Sequence, residues 1–215
     1  MSNYQSTKVI ELGSCAFRQW RATHSHCKYL HGYQLKAKIW FGASTLDDKN
    51  WCVDFGGLKE LKSKLQYVFD HTTTVAADDP ELDTFKDLDK RGLIQLRILD
   101  KGVGVERVAE TVHSIANAYI KLLTNNRCWV DAVEVFEHEE NSAVYTSGDE
   151  VNFTCSYSNT STNDLSADIP TTTTTSDNVD AYTDAVAAVI DDRAARVGPN
   201  TSQGKSDWFA GTSWG

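Results

Sequence analysis

No apolar run in this 215-residue chain approaches the roughly 18 residues that a helix needs to cross a bilayer. The opening, MSNYQSTKVIELG, has neither a basic segment leading into an apolar one nor a lipidation signal. A cytoplasmic protein without a membrane partner is the expectation. Positive charge is also short: 21 Lys and Arg stand against 30 Asp and Glu, a formal net charge of −9. Such a balance repels nucleic-acid phosphates and anionic membrane surfaces, so no nucleic acid is expected as a partner. The five cysteines, Cys15, Cys27, Cys52, Cys128 and Cys155, are odd in number and irregular in spacing. They read as free thiols in a reducing compartment rather than as a disulfide framework. What is present is ordinary for a globular protein, with 40% hydrophobic and 24% charged residues, which excludes collagen, coiled coil and wholesale disorder.

The composition changes near Asp149. All six histidines lie before it, whereas residues 151–215 hold 19 Ser or Thr and a net charge of −5 from 8 Asp and 3 Lys or Arg. Two parts are therefore expected: a folded domain over residues 1–150, and a largely disordered Ser/Thr/Asp-rich tail over 151–215 with one short helix at 181–197. The terminal aromatics Trp208, Phe209 and Trp214 are consistent with a docking peptide and equally with packing on the domain itself.

Within the first part, KVIELGSCAFRQWRA and the alternating YQLKAKIWFGA predict a hairpin, and Leu58, Leu61, Leu65 and Phe69 recur at helical spacing. LIQLRIL reads as a strand, VERVAETVHSIANAYIKLL as an amphipathic helix, and WVDAVEVFEHEE with SAVYTSG as a closing strand pair. The order is ββαβαββ without an internal repeat. It predicts an α+β domain, an antiparallel sheet with two helices on one face.

The densest chemistry is HSHCKYLHGY, which places His24, His26, Cys27 and His31 within eight residues. Three imidazoles with an open fourth position would suit catalytic zinc, and an exposed polar turn accounts for the same pattern equally well. Cys27 is either a small buried residue or, beside a cation, metal or base, a reactive thiol. Asp70-His71 closes the first helix as an oriented acid/base pair or as a simple cap. Strand alternation puts Glu137 on the side of Val133 and Val135, where its carboxylate needs an internal arginine or a ligand offering two N–H groups.

In order and spacing these segments resemble the 6-pyruvoyl-tetrahydropterin and 6-carboxy-tetrahydropterin synthase family over about residues 8–147. The matches are Ala22-Thr23-His24, Cys27-Lys-Tyr-Leu-His31-Gly32-Tyr33, WCVDFGGLK with a sixteen-residue step from Asp54 to Asp70-His71, VGVERVAETV with Glu106, and VFEHEENSAVY with Glu137. The resemblance implies a homo-oligomeric tunnelling fold whose active sites lie between subunits. It also implies zinc as cofactor and 7,8-dihydroneopterin triphosphate as substrate. It makes His24 and His31 metal ligands, Cys27 the acid/base thiol, Asp70 and His71 its catalytic partners, and Glu137 and Glu106 substrate-binding residues. The family's third ligand position is Tyr33 here, and His26 is the nearest replacement. The compact Cys-x-x-x-His-Gly favours the 6-carboxy product of 7-deazaguanine (queuosine-type) synthesis. The alternatives are the 6-pyruvoyl product, a pterin aldolase or epimerase, or a degenerate protein that binds a pterin or a partner without catalysis.

Overall fold

The computed structural model describes residues 3–147. The tail expected over 151–215, its helix at 181–197 and its terminal aromatics lie outside the described residues. Among the described residues no helix is long and apolar enough to cross a membrane.

The hairpin is the spine of the fold. Strand β1 (Tyr4–Phe17) runs antiparallel to β2 (His31–Ala43), from Tyr4 opposite Ala43 to Phe17 opposite His31. A bulge between Glu11 and Gly13 interrupts the register. Before it Ile10 and Leu12 point into the core, and after it Cys15 and Phe17 do, because one extra residue resets the two-residue alternation of a strand. Gly13 has a φ of 104°. A Cβ there would run into the Asp70 carboxylate, so glycine is needed both for the backbone and for the close approach.

After a short 3₁₀ turn at Phe55–Leu58, helix α1 (Lys59–Phe69) buries Leu61, Leu65, Val68 and Phe69. The chain continues as β3 (Thr72–Ala76), α2 (Leu82–Lys90), β4 (Leu96–Leu99), α3 (Val105–Leu123), β5 (Cys128–His138) and β6 (Asn141–Thr146). The six strands form one sheet in the order β4-β3-β1-β2-β5-β6. Strand β3 is parallel to both β1 and β4, while β5 is antiparallel to β2 and β6. The sheet is therefore mixed and carries three helices, not antiparallel with two. The sequence hides β3 and α2 for a physical reason. Thr72-Thr73-Thr74 reads as polar, yet all of β3 is buried, its threonines tolerated because they find acceptors: the Thr72 hydroxyl donates to the Phe69 carbonyl at 2.9 Å. Helix α2 buries only Phe85.

Helix α3 lays Val108, Val112, Ala116 and Ile120 on the sheet and also buries His113. The His113 Nε2 donates to the Val130 carbonyl at 3.0 Å, and its ring meets Tyr145 edge-on at 5.0 Å. Burial pushes its pKa below the usual 6.5, against the opposing pull of that carbonyl. At pH above 6.5 the imidazole is neutral whether folded or not, and its stabilising contribution is fully present. As pH falls below 6.5 the unfolded chain takes the proton first, and stability is lost until the native His113 is protonated too. The melting temperature is expected to drop between pH 7 and 5, and His113→Gln to flatten that part of the profile. An unchanged slope in the variant would assign the dependence to another group.

Candidate functional site

The open end of the hairpin collects the chemistry. Beyond Phe17 the chain turns through Arg18 to Leu30, and a single 3₁₀ turn, His26–Lys28, holds Cys27. Ser25 caps it, its hydroxyl accepting from the Cys27 amide at 3.2 Å, and the Gln19 amide donates to the Cys27 carbonyl at 2.8 Å. These bonds fix a half-buried thiol over the start of β2.

On β2, His31 and Tyr33 lie on the core face in line with the buried Leu35, Ala37 and Ile39. The His31 Nδ1–H donates to the Tyr29 carbonyl at 2.7 Å, which leaves Nε2 with its lone pair. Its ring packs 5.0 Å from Phe17 and stands edge-on to Tyr33 at 5.6 Å. Tyr33 lies 6.1 Å from Phe17 and 6.0 Å from His138 at the end of β5, centroid to centroid. Burial pushes the Tyr33 phenol above its usual pKa of 10, and the charges of Glu137 and Cys27 push in the same direction. Tyr33 thus has His31 against its ring and both Cys27 and Glu137 within electrostatic reach. Glu137 also borders an open cleft of about 590 Å³ with Val9, Gln34, Lys36, Phe136, His138 and Glu139. Among the described residues no cation pairs with Glu137.

Glu106 stands exposed in the first turn of α3. A Cβ at Gly104 would crowd the Gln19 amide and lie 3.2 Å from Glu106 Oε2, so the missing side chain lets the Cys27 loop rest beside that carboxylate. Asp70 and His71 lie elsewhere. They form the turn from α1 into β3, with His71 at a φ of 57° and its Nδ1 2.9 Å from Asp70 Oδ1. The Ser14 amide donates to the same carboxylate oxygen at 3.1 Å, and the His71 amide donates to the Ser14 carbonyl at 2.7 Å. The imidazole is 84% exposed, and among the described residues no hydrogen bond connects the pair to Cys27.

A zinc site built from His24, His26 and His31 does not form. Among the described residues no three His, Cys, Asp or Glu side chains come together in a way that could hold a metal ion. His24 and His26 are exposed on the loop, and the nearest ring to His26 is Tyr29, at 6.4 Å. The residue that faces His31 across the ladder is Phe17, which has no donor atom. Tyr33 would have to ionise against burial and the neighbouring Glu137 carboxylate. The donor set does not fit zinc. Sequence reasoning placed the upstream ligand by its Ala-x-His triplet and missed Phe17. The bulge at Glu11–Gly13 resets the β1 alternation before Cys15 and Phe17, which is why the pattern along the chain does not point to Phe17.

A 6-pyruvoyl tetrahydropterin synthase family model matches residues 11–148. No curated protein matches the chain. Among solved structures, an uncharacterized protein from Wolinella succinogenes superimposes with a TM-score of 0.58 at 19% identity, covering 67% of this chain and 98% of that one. The 6-pyruvoyl tetrahydropterin synthase of Plasmodium vivax gives a TM-score of 0.47 at 17% identity, covering 66% and 98% of the two chains. That of Caenorhabditis elegans gives 0.46 at 18%, covering 67% and 96%.

Proposed function

The chain belongs to the 6-pyruvoyl tetrahydropterin synthase family, and from that premise we propose that it binds a pterin of the 7,8-dihydroneopterin triphosphate class and processes its side chain as a lyase. The product favoured is a 6-carboxy-tetrahydropterin, in 7-deazaguanine (queuosine-type) synthesis. The observation that carries the reading is that Glu137 and Cys27 both lie within electrostatic reach of the Tyr33 phenol, with Glu137 also on the rim of an open cleft. A carboxylate without an internal partner is matched by the adjacent ring N–H and amino group of a pterin, two parallel charge-assisted hydrogen bonds. Cys27, within electrostatic reach of Tyr33, is the group that moves a proton at the side chain. No step is assigned to zinc.

Asp70-His71 reaches a substrate only from outside its own site, and its exposure suits a catalytic pair offered to a second copy of the chain. Among the described residues β4 and β6 are the edge strands of the sheet, which supports such an assembly, since ring closure removes the edges of a sheet. A second reading, a protein that binds a pterin without turning it over, is favoured by Phe17 opposite His31.

Incubation with 7,8-dihydroneopterin triphosphate and mass analysis of the product separates these readings. Release of triphosphate with a 6-carboxy product supports the first, a 6-pyruvoyl product moves the protein to the other branch, and tight binding without turnover supports the second. Glu137→Gln replaces one acceptor oxygen by a donor and removes the charge. It is expected to weaken pterin binding about 100-fold by fluorescence titration. Unchanged affinity would remove Glu137 from the anchor role.

A further inference from the structure

We infer that this site works without a bound metal, and that His31 and Tyr33 themselves hold adjacent hydroxyl groups of the substrate's side chain. The inference rests on the pterin reading above and adds how the side chain is recognised.

Three observations carry it. Phe17 stands opposite His31 in the β1–β2 register and packs its ring 5.0 Å away, so a hydrocarbon face fills the space from which a further donor would reach the imidazole. His31 is already oriented by the Tyr29 carbonyl, 2.7 Å from Nδ1, and its Nε2 therefore presents a lone pair that accepts from an O–H. Tyr33 stands edge-on to that imidazole, 5.6 Å between centroids, and its phenol donates. An acceptor nitrogen and a donor oxygen on neighbouring rings complement two neighbouring hydroxyls of a polyol side chain, one donating to His31 and the next accepting from Tyr33. The Phe17 ring beneath both keeps them in place and excludes water from one side, which strengthens each bond. Glu137, within electrostatic reach of the same phenol, holds the ring system, so the two together select for a hydroxylated substituent on that ring.

The test uses the full chain. Metal content is measured after expression in zinc-supplemented medium, and binding is compared for 7,8-dihydroneopterin, which carries the hydroxyls, and 6-methyl-7,8-dihydropterin, which lacks them. The expected result is far less than one zinc per chain, a preference for dihydroneopterin that survives a chelator, and a loss of about tenfold of that preference in Tyr33→Phe with affinity for the methyl compound unchanged. His31→Gln, which keeps an acceptor, is expected to retain part of the preference. About one zinc per chain, lost on His31→Gln, would overturn the inference. So would a preference that neither substitution alters. Failure of both pterins to bind refutes the pterin reading itself, a result distinguishable from either of these because it concerns the methyl compound as well.

Discussion

Cys27→Ala is expected to lower turnover of 7,8-dihydroneopterin triphosphate by about 10²–10⁴-fold, the range that a positioned proton-transfer group contributes, with pterin affinity and thermal stability nearly unchanged. The two halves of the expectation have separate grounds. Loss of activity follows from the placement of the thiol, half-buried in the turn between β1 and β2 and close enough to Tyr33 to bear on that phenol's ionisation. Preserved stability follows from the turn being held by its backbone, through Ser25 and Gln19, rather than by the sulfur. The other described cysteines differ in kind. Cys15, Cys52 and Cys128 are buried, Cys52 and Cys128 lie 3.9 Å apart, sulfur to sulfur, and burial pushes the Cys128 thiol up to about 12, which keeps it protonated and inert. Cys52→Ala is thus the control: some stability is lost with the packing, and turnover per folded molecule stays. Wild-type turnover in Cys27→Ala would end the case for this thiol, whatever the identity of the product.

How much of this was legible depended on whether a feature is local or long-range. The hairpin, α1, α3 and the β5–β6 pair carry strong two- or 3.6-residue periodicity, and each stands where its pattern puts it. Strand β3 escaped because its burial is imposed by β1, β4 and α1 on a threonine run whose own composition argues for surface. The site divides in the same way. Glu137 on the Val133 and Val135 face and Asp70-His71 at a helix end are readable from single elements. The partner of His31 is not, since it is set by the pairing of two strands. The bulge at Gly13 shifts β1 by one residue, and that shift brings Phe17, and no residue of the His24 loop, onto the same face as His31 and Tyr33. A triplet match along the chain cannot register a bulge whose glycine is held against the Asp70 carboxylate, 57 residues away.

Asp79→Ala is expected to cost about 3–5 kcal/mol, a large share of the roughly 5–15 kcal/mol that holds a domain of this size together. The Asp79 side chain is fully buried and that of Arg18 is 20% exposed. Arg18 Nε donates to Asp79 Oδ2 at 2.9 Å and its Nη2 to Oδ1, a two-pronged pairing, and the Glu81 amide adds a bond to Oδ1 at 2.8 Å. Burial acts to raise the carboxyl pKa, but the Arg18 bonds and the Glu81 amide outweigh it and hold the group below the usual carboxylate value. Its contribution is therefore present above pH 3.8 and is lost as pH falls through the lower, native value. Removing the carboxylate strands a guanidinium stacked 5.6 Å over Phe85 and frees the amide that begins α2. Arg18 also sits between Phe17 and Gln19, so the loosened segment is the one that positions Cys27. Urea unfolding of Asp79→Ala should show a lower midpoint with an unchanged slope. Arg18→Met combined with Asp79→Leu should recover much of the loss, because no charge then remains buried without a partner. An Asp79→Ala midpoint equal to that of the wild type, or a double variant no better than the single, would show that the pair does not hold β1 to the segment before α2.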